Sequence, residues 1–370
     1  MAAPDQPSVL HKIEFAAIPG WRNTDLALSL AAFRRSCTEI IEEGRAFARK
    51  PEFGGTREDW LPVCQAAAGA RDARGFFETH FTPLRVSDAA RPEGLFTGYY
   101  EPEAAGSLKP GPRTPAALLA KPADLIAFDA AQTASSGFAY GRIVDGKAQG
   151  YFTRREIEEG ALSGRGLELA YLESWVDLFF IHIQGSGRVR LTDGRMIRLA
   201  YAAKSGQPYT GTGRLLVERG VLAEQDMSMQ AMRAWMREHP EAARELMWEN
   251  KSYIFFREVD IDDPSLGPPG AQKVNLTPER SLAVDRNLWS YGMPVWLDTS
   301  APKGPRQELE PFRALMIAQD TGTAIRGPVR GDVFWGAGEA AALTAGHMKS
   351  PGAMTVLLPK ALAQRLTAAR

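Results

Sequence analysis

The sequence predicts a mainly β protein with flanking helices, in which both ends of the chain build one domain and a β-rich domain is inserted between them. Three observations carry that prediction. Runs of aromatic and β-branched residues bounded by glycine turns recur through the middle of the chain, as strands packed on a core require. Two proline- and glycine-rich stretches without periodicity, residues 102–122 and 262–272, mark candidate connections. A region tied to its parent at two points is an inserted domain, which places the domains at residues 1–102 with 261–370 and at residues 103–260. At 370 residues the chain also exceeds what one core ordinarily supports.

Between residues 23 and 50, Leu26, Leu30, Phe33, Cys37 and Ile40 recur every three or four positions behind Thr24 and Asp25 as caps, which predicts an amphipathic helix with its stripe on the core. A shorter helix is expected over residues 60–70. Extended structure follows at residues 94–100, and residues 175–184 read as a buried strand. Past the break at Gly185-Ser186-Gly187, residues 188–191 and 196–202 form two more strands joined by the turn Thr192-Asp193-Gly194. Asp226 opens a helix carrying Met229, Met232, Trp235 and Met236, stopped by Pro240, and a second helix runs over residues 241–250. The methionine stripe reads as core.

Charge and cysteine content exclude several function classes. Lysine plus arginine equals aspartate plus glutamate at 44 each, so no net field attracts nucleic acid. Hydrophobic residues at 44% and charged residues at 24% are ordinary for a folded globular chain. The two cysteines, Cys37 and Cys64, lack zinc-site spacing and read as buried thiols, with one disulfide as the less favoured alternative. The five histidines are scattered, so neither a metal nor a cofactor is expected. No stretch reaches the roughly 20 apolar residues that span a bilayer, and the opening Met-Ala-Ala-Pro-Asp lacks the order of a secretory leader and carries no lipidation cysteine.

Short motifs are weak on their own. Gly336-Ala337-Gly338-Glu339-Ala340-Ala341 has the glycine pattern of a dinucleotide-binding turn, yet no acidic residue follows Glu339 to hold a ribose. Asp320-Thr321-Gly322 matches an aspartic-protease triplet, but only one copy exists, and a turn explains it as well. Asp285, Asp320 and Asp332 each border short apolar runs. Of these, Asp332 precedes Val333-Phe334-Trp335, an aromatic setting that raises a carboxyl pKa and keeps the proton needed by an acid.

Several of these segments together resemble one family. Gly98-Tyr99-Tyr100-Glu101-Pro102, Val176-Asp177-Leu178, Ile183-Gln184-Gly185-Ser186-Gly187 and Asp226-Met227-Ser228-Met229-Gln230-Ala231 are similar, in order and spacing, to the specific domain of lytic murein transglycosylase A. Ala283-Val284-Asp285-Arg286, the stretch from Ala318 to Gly327, and Gly331-Asp332-Val333-Phe334 resemble its companion three-aspartate domain. The resemblance implies a double-psi β-barrel formed by both chain ends, a smaller inserted β-domain, and a groove between them that takes peptidoglycan glycan strands. It further implies cleavage of the β-1,4 bond between N-acetylmuramic acid and N-acetylglucosamine, with a 1,6-anhydro product and no water nucleophile.

Carried over residue by residue, the family pattern makes Asp332 the single catalytic acid and base, Asp320 an assisting or orienting group and Asp285 structural. Tyr99, Tyr100, Gln184, Gly185, Ser186 and Trp335 are the expected sugar-binding residues. Some relatives have His-Phe before the catalytic aspartate where this chain has Arg330-Gly331, and a guanidinium there opposes an acid role. Arg330 must therefore point away or bind substrate. The family's usual export implies a periplasmic site, with outer-membrane attachment in the full-length form, and other cell-wall enzymes as conceivable partners. Two further readings stand beside this one: a water-using glycosidase with Asp320 or Asp285 as base, and a silent wall-binding module.

Overall fold

The computed structural model describes residues 9–89, 92–304 and 306–368; the expectation drawn from Met1 to Asp5 lies outside them. In chain order the strands are β1 (Val9–Lys12), β2 (Phe81–Ser87), β3 (Gly94–Glu101), β4 (Glu103–Ser107), β5 (Ala116–Leu119), β6 (Ile126–Ala127), β7 (Tyr140–Val144), β8 (Lys147–Gly150), β9 (Glu168–Leu172), β10 (Ser186–Leu191), β11 (Met196–Lys204), β12 (Ile254–Val259), β13 (Ser281–Val284), β14 (Pro294–Lys303), β15 (Glu308–Asp320), β16 (Arg330–Ala337) and β17 (Lys349–Pro359). They belong to two compact units. One takes the chain up to Tyr100, then Asp263–Gly336 and the segment from Ala340 onward; the other takes Glu101–Asp262 with Ala337–Glu339.

The first unit is a closed barrel. Its strands run in the order β17-β14-β15-β13-β16-β3, and β3 pairs back onto β17, so the ring of six has no free edge. β2 and β1 extend the sheet from β17. Most neighbours are antiparallel, while β13 and β15 are parallel. β14 and β15 read as nearly unbroken apolar runs because the sheet is covered on both sides. Leu282, Val295, Leu315, Val333 and Val356 share one core with Leu30, Phe33, Trp60 and Phe77 from the helices.

The expected N-terminal helix spans Ala27–Glu42 and lies against β15. Polar pins fix it there: Ser29 Oγ donates to the Leu315 carbonyl at 2.7 Å, and Gln319 Nε2 donates to the Ala32 carbonyl at 3.0 Å. The next helix, Arg57–Gly69, starts at a Thr56–Asp59 capping box. Cys37 and Cys64 form a disulfide between these two helices, which corrects the reading as free buried thiols. Periodicity placed Cys37 on the core face but carried no information about what faces it.

The second unit holds a six-stranded mixed sheet, β12-β11-β10-β4-β9-β5, and a small antiparallel sheet, β6-β7-β8. The expected hairpin around Asp193-Gly194 is present as β10 and β11. Residues 102–122, read as a connection, instead contain β4 and β5.

The segment Trp175–Gln184 is a helix, not the buried strand expected. Ser174 Oγ accepts from the Asp177 amide at 3.2 Å, and Gly185 closes the far end at φ 77°. Leu178 and Ile181 pack on the sheet, whereas Val176, Phe179 and Phe180 pack on Leu216, Met236 and Leu246. A helix buried on opposite sides is apolar all round, and such a run loses the period that distinguishes helix from strand. The methionine helix spans Met229–Glu238 and is capped by Ser228, three residues or less from the expected start, with Met232 and Met236 in the core.

Candidate active site

The barrel brings two of the three aspartates together through strand register. Ala283 on β13 lies opposite Asp332 on β16 and opposite Asp320 at the end of β15. Alternation along each strand sets the rest: Arg330, Asp332 and Phe334 share one face of β16, and Leu95, Thr97 and Tyr99 share one face of β3. Gly331 lets the strand sit close to its neighbours, since a Cβ there would fall 2.9 Å from Leu282 Cδ1.

Asp320 is held by three donors. Its Oδ1 accepts from the Ala271 amide at 3.0 Å and the Thr321 amide at 2.9 Å, and its Oδ2 accepts from the Tyr99 hydroxyl at 3.0 Å. Among the described residues Asp332 has one: Thr97 Oγ1 donates to Oδ1 at 2.5 Å. Arg330 Nη2 in turn donates to Thr97 Oγ1 at 2.8 Å, and Nη1 donates to the Gly331 carbonyl and to the Leu95 carbonyl at 3.4 Å. The expected conflict between Arg330 and the acid is thus taken up in part by Thr97.

Burial dominates the electrostatics. Desolvation raises the Asp332 pKa above the ordinary carboxylate range, against the lowering effects of the Arg330 charge and the Thr97 hydrogen bond. Asp320 is raised too, first by desolvation and further by the charge on Asp332, against the three hydrogen bonds that lower it. Tyr99 is pushed well up by desolvation and then by both aspartates, so it stays a neutral donor. Two carboxyls in such surroundings resist ionising together.

The remaining expected residues lie elsewhere. Trp335, half-buried, packs on Phe312 with ring centroids 5.2 Å apart and lines a cavity of about 380 Å³ with Lys303, Glu310 and Thr344. Tyr100 is only 3% exposed. Asp285 Oδ2 accepts from the Gly327 amide at 3.0 Å and Oδ1 from the Asn287 amide at 3.1 Å, tying two loops together. In the second unit, Gln184 is half-buried on the last helical turn, Gly185 is the helix cap, and Ser186, 7% exposed, starts β10.

Thr97 and Ala271 escaped the sequence reading. Thr97 was findable, because it stands two positions before Tyr99 and must share its strand face. Ala271 was not: it acts through a backbone amide in a stretch that reads as a connection. Among the described residues, no group of three or more histidine, cysteine, aspartate or glutamate side chains is placed to hold a metal ion.

Comparison with known proteins gives consistent matches. Residues 95–257 match the family model described as the MltA specific insert domain, and residues 280–358 match the 3D domain. Membrane-bound lytic murein transglycosylase A of Vibrio cholerae is 37% identical over 206 residues, 54% of this chain and 54% of that protein. Its Escherichia coli K12 namesake is 37% identical over 213 residues, 55% of each. The matched part therefore spans about half the length of these curated relatives. Among solved structures, the membrane-bound lytic murein transglycosylase from Agrobacterium tumefaciens superposes with a TM-score of 0.85 at 35% identity, covering 96% of this chain and 99% of that one. MltA from Neisseria gonorrhoeae gives 0.78 at 33%, covering 95% and 93%. E. coli MltA with bound chitohexaose gives 0.65 at 25%, covering 96% and 93%.

Proposed function

The chain belongs to the membrane-bound lytic murein transglycosylase A family, and from that premise we propose that it cleaves peptidoglycan glycan strands as a lytic transglycosylase. The bond is the β-1,4 link between N-acetylmuramic acid and N-acetylglucosamine, and the new end is a 1,6-anhydromuramic acid. One observation carries the reading: a pair of desolvated aspartates in which Asp320 is met by three donors and Asp332 by one. Burial raises both carboxyls and so does not decide which of them keeps its proton; the donors do. Hydrogen bonds to the charged form favour it, so Asp320 is the anion and Asp332 the acid.

The chemistry follows from that division. Asp332 gives its proton to the bridging oxygen while the bond from the muramic acid anomeric carbon to that oxygen breaks, and the electron pair leaves with N-acetylglucosamine. The carbon-6 hydroxyl of the same muramic acid then bonds to that carbon and returns its proton to Asp332. One carboxyl serves twice because the nucleophile belongs to the substrate, unlike a glycosidase that needs two. Asp320 contributes a fixed negative charge that keeps the proton on Asp332, and Tyr99 holds Asp320 in place. Gln184, Gly185 and Trp335 contact sugars, whereas Tyr100 and Ser186, both nearly shielded, shape the backbone around their neighbours. Asp285 is structural.

The parallel pair β13 and β15 within a closed ring of six supports a double-psi winding of the barrel. A disulfide persists in an oxidising compartment, and Cys37–Cys64 therefore supports action in the periplasm; attachment to the outer membrane is proposed from the family alone. Among the described residues no helix is long and apolar enough to cross a membrane.

Digestion of purified murein sacculi by wild type and Asp332→Asn, with product masses read out, tests the proposal. Anhydro ends from wild type and none from the variant are expected. Reducing ends would instead establish a water-using glycosidase, and sedimentation with murein without released fragments would establish a binding module.

A further inference from the structure

The contacts around Asp332 have a direction. A guanidinium carries only N–H donors, so in the 2.8 Å contact between Arg330 Nη2 and Thr97 Oγ1 the arginine donates and the threonine accepts. A threonine hydroxyl has a single proton, and here it points along the 2.5 Å contact to Asp332 Oδ1. Oδ1 is therefore an acceptor in both protonation states. Among the described residues nothing donates to Asp332 Oδ2, and that atom is not among the shielded, unpartnered ones.

We propose that Arg330 and Thr97 are positioning residues that reserve Asp332 Oδ2 as the one oxygen that delivers the proton to the glycosidic oxygen and later recovers it from the carbon-6 hydroxyl. The proposal rests on the reading of Asp332 as the acid. In the first half-reaction the Oδ2–H bond breaks as a bond from hydrogen to the bridging oxygen forms; in the second the carbon-6 oxygen bonds to the anomeric carbon and its proton returns to Oδ2. Protons and electron pairs balance with no further reactant. Without the relay the carboxyl can flip its protonated oxygen toward Thr97, where the proton is spent on a hydrogen bond that does no chemistry.

The relay also has the right construction for this task. Arg330 is anchored to the backbone carbonyls of Leu95 and Gly331 on the two strands it joins, and it is 9% exposed. Thr97 stands on β3 and Asp332 on β16, neighbouring strands of the closed barrel. Two links, each of one polarity, fix the hydroxyl more firmly than a water free to rotate.

The test is steady-state kinetics with anhydro product as readout, over a pH series, for Thr97→Val, Thr97→Ser, Arg330→Met and the Thr97→Val/Arg330→Met pair. Valine keeps the shape of threonine and removes the hydroxyl, so Thr97→Val should lower kcat about 10- to 100-fold with KM changed less than about twofold. Its basic limb should move to higher pH, because the carboxylate loses a stabilising hydrogen bond. Thr97→Ser should recover most of the rate. Arg330→Met should lower kcat by about tenfold alone and add little in the Thr97→Val background, since the two residues act in series. Wild-type kcat and pH profile in Thr97→Val, or fully additive losses in the pair, overturn the relay; if Thr97→Val does not fold, an unchanged profile in Arg330→Met does so by itself. These outcomes are separate from failure of the parent reading, which would show as wild type releasing no anhydro product or as Asp332→Asn retaining activity.

Discussion

Reducing the Cys37–Cys64 bond should weaken the barrel unit by an amount set by the loop it closes. The two cysteines are 27 residues apart in sequence, and in the chain-entropy account a loop of that length corresponds to about 3.5 kcal/mol at 25 °C. Cys37 belongs to Ala27–Glu42, the helix pinned to β15 by Ser29 and Gln319, so the loss should be felt by the barrel rather than by the insert. Guanidinium unfolding followed by tryptophan fluorescence reads this out, because Trp21, Trp60, Trp289, Trp296 and Trp335 lie in the barrel unit. Wild type in reductant should shift its first transition to lower denaturant while the insert's transition stays put. Titration of the unfolded, unreduced chain should find no free thiol. Two free thiols, with a midpoint indifferent to reductant, would refute both the bond and the compartment inferred from it.

Four further outcomes are expected. Glu101, fully buried between Arg188 at 2.7 Å and Arg198 at 2.8 Å, leaves the fully buried Arg198 without this carboxylate in Glu101→Ala while the partly buried Arg188 keeps Glu103 at 3.6 Å, which should cost the insert about 3 kcal/mol in denaturant unfolding. On the proposed division of roles, Asp320→Asn removes a negative charge that raises the Asp332 pKa, so the basic limb of kcat should move to lower pH with a loss of about tenfold at neutrality; an unmoved limb would separate the two groups. His182 is held neutral by desolvation and then by Arg154, whose Nη1 lies 2.7 Å from its Nδ1, with Glu158 and Tyr253 completing the surround. Its folded pKa lies below its unfolded one, so its contribution is present above about pH 6.5 and is lost as pH falls; urea midpoints measured against pH should fall below that point in wild type and flatten in His182→Gln. Finally, Gly98→Ala would put a Cβ 2.6 Å from Trp335 Nε1 and 2.8 Å from the Ala345 Cα, an overpacking of about 1–3 kcal/mol that displaces Thr97 and Tyr99 and should lower both melting temperature and kcat.

How far the sequence could be read depended on whether a feature is local. The amphipathic helix, the Asp193-Gly194 hairpin and β3 follow from period, composition and turn residues, which neighbours in sequence control. The helix Trp175–Gln184 was mistaken for a strand because its opposite sides both face apolar partners, and that fact belongs to the tertiary structure. Ser174 before the run and Gly185 after it are cap residues, and given equal weight with β-branching they would have pointed to a helix. The disulfide needed the distance between two helices. At the candidate site, the order of motifs singled out the two aspartates that strand register sets opposite Ala283, yet nothing in Asp320-Thr321-Gly322 or Gly331-Asp332-Val333 tells their hydrogen-bond surroundings apart.

That difference arises largely from backbone amides, with the Tyr99 hydroxyl adding one side-chain donor to Asp320. Both aspartates face Ala283, both are desolvated, and either would serve as an acid if transplanted alone. What separates them is that another segment passes Asp320, so that the Ala271 amide from that segment and the Thr321 amide next in the chain meet one oxygen while Tyr99 takes the other, whereas among the described residues Asp332, inside its strand, accepts from Thr97 alone. A carboxyl at a strand end gathers loose amides that favour its charged form, whereas a carboxyl inside a ladder meets few. Strand register therefore supports the proposed division of roles, and moving the Asp320 carboxylate one residue along β15 should turn it to the other face and cost it its anchoring amides.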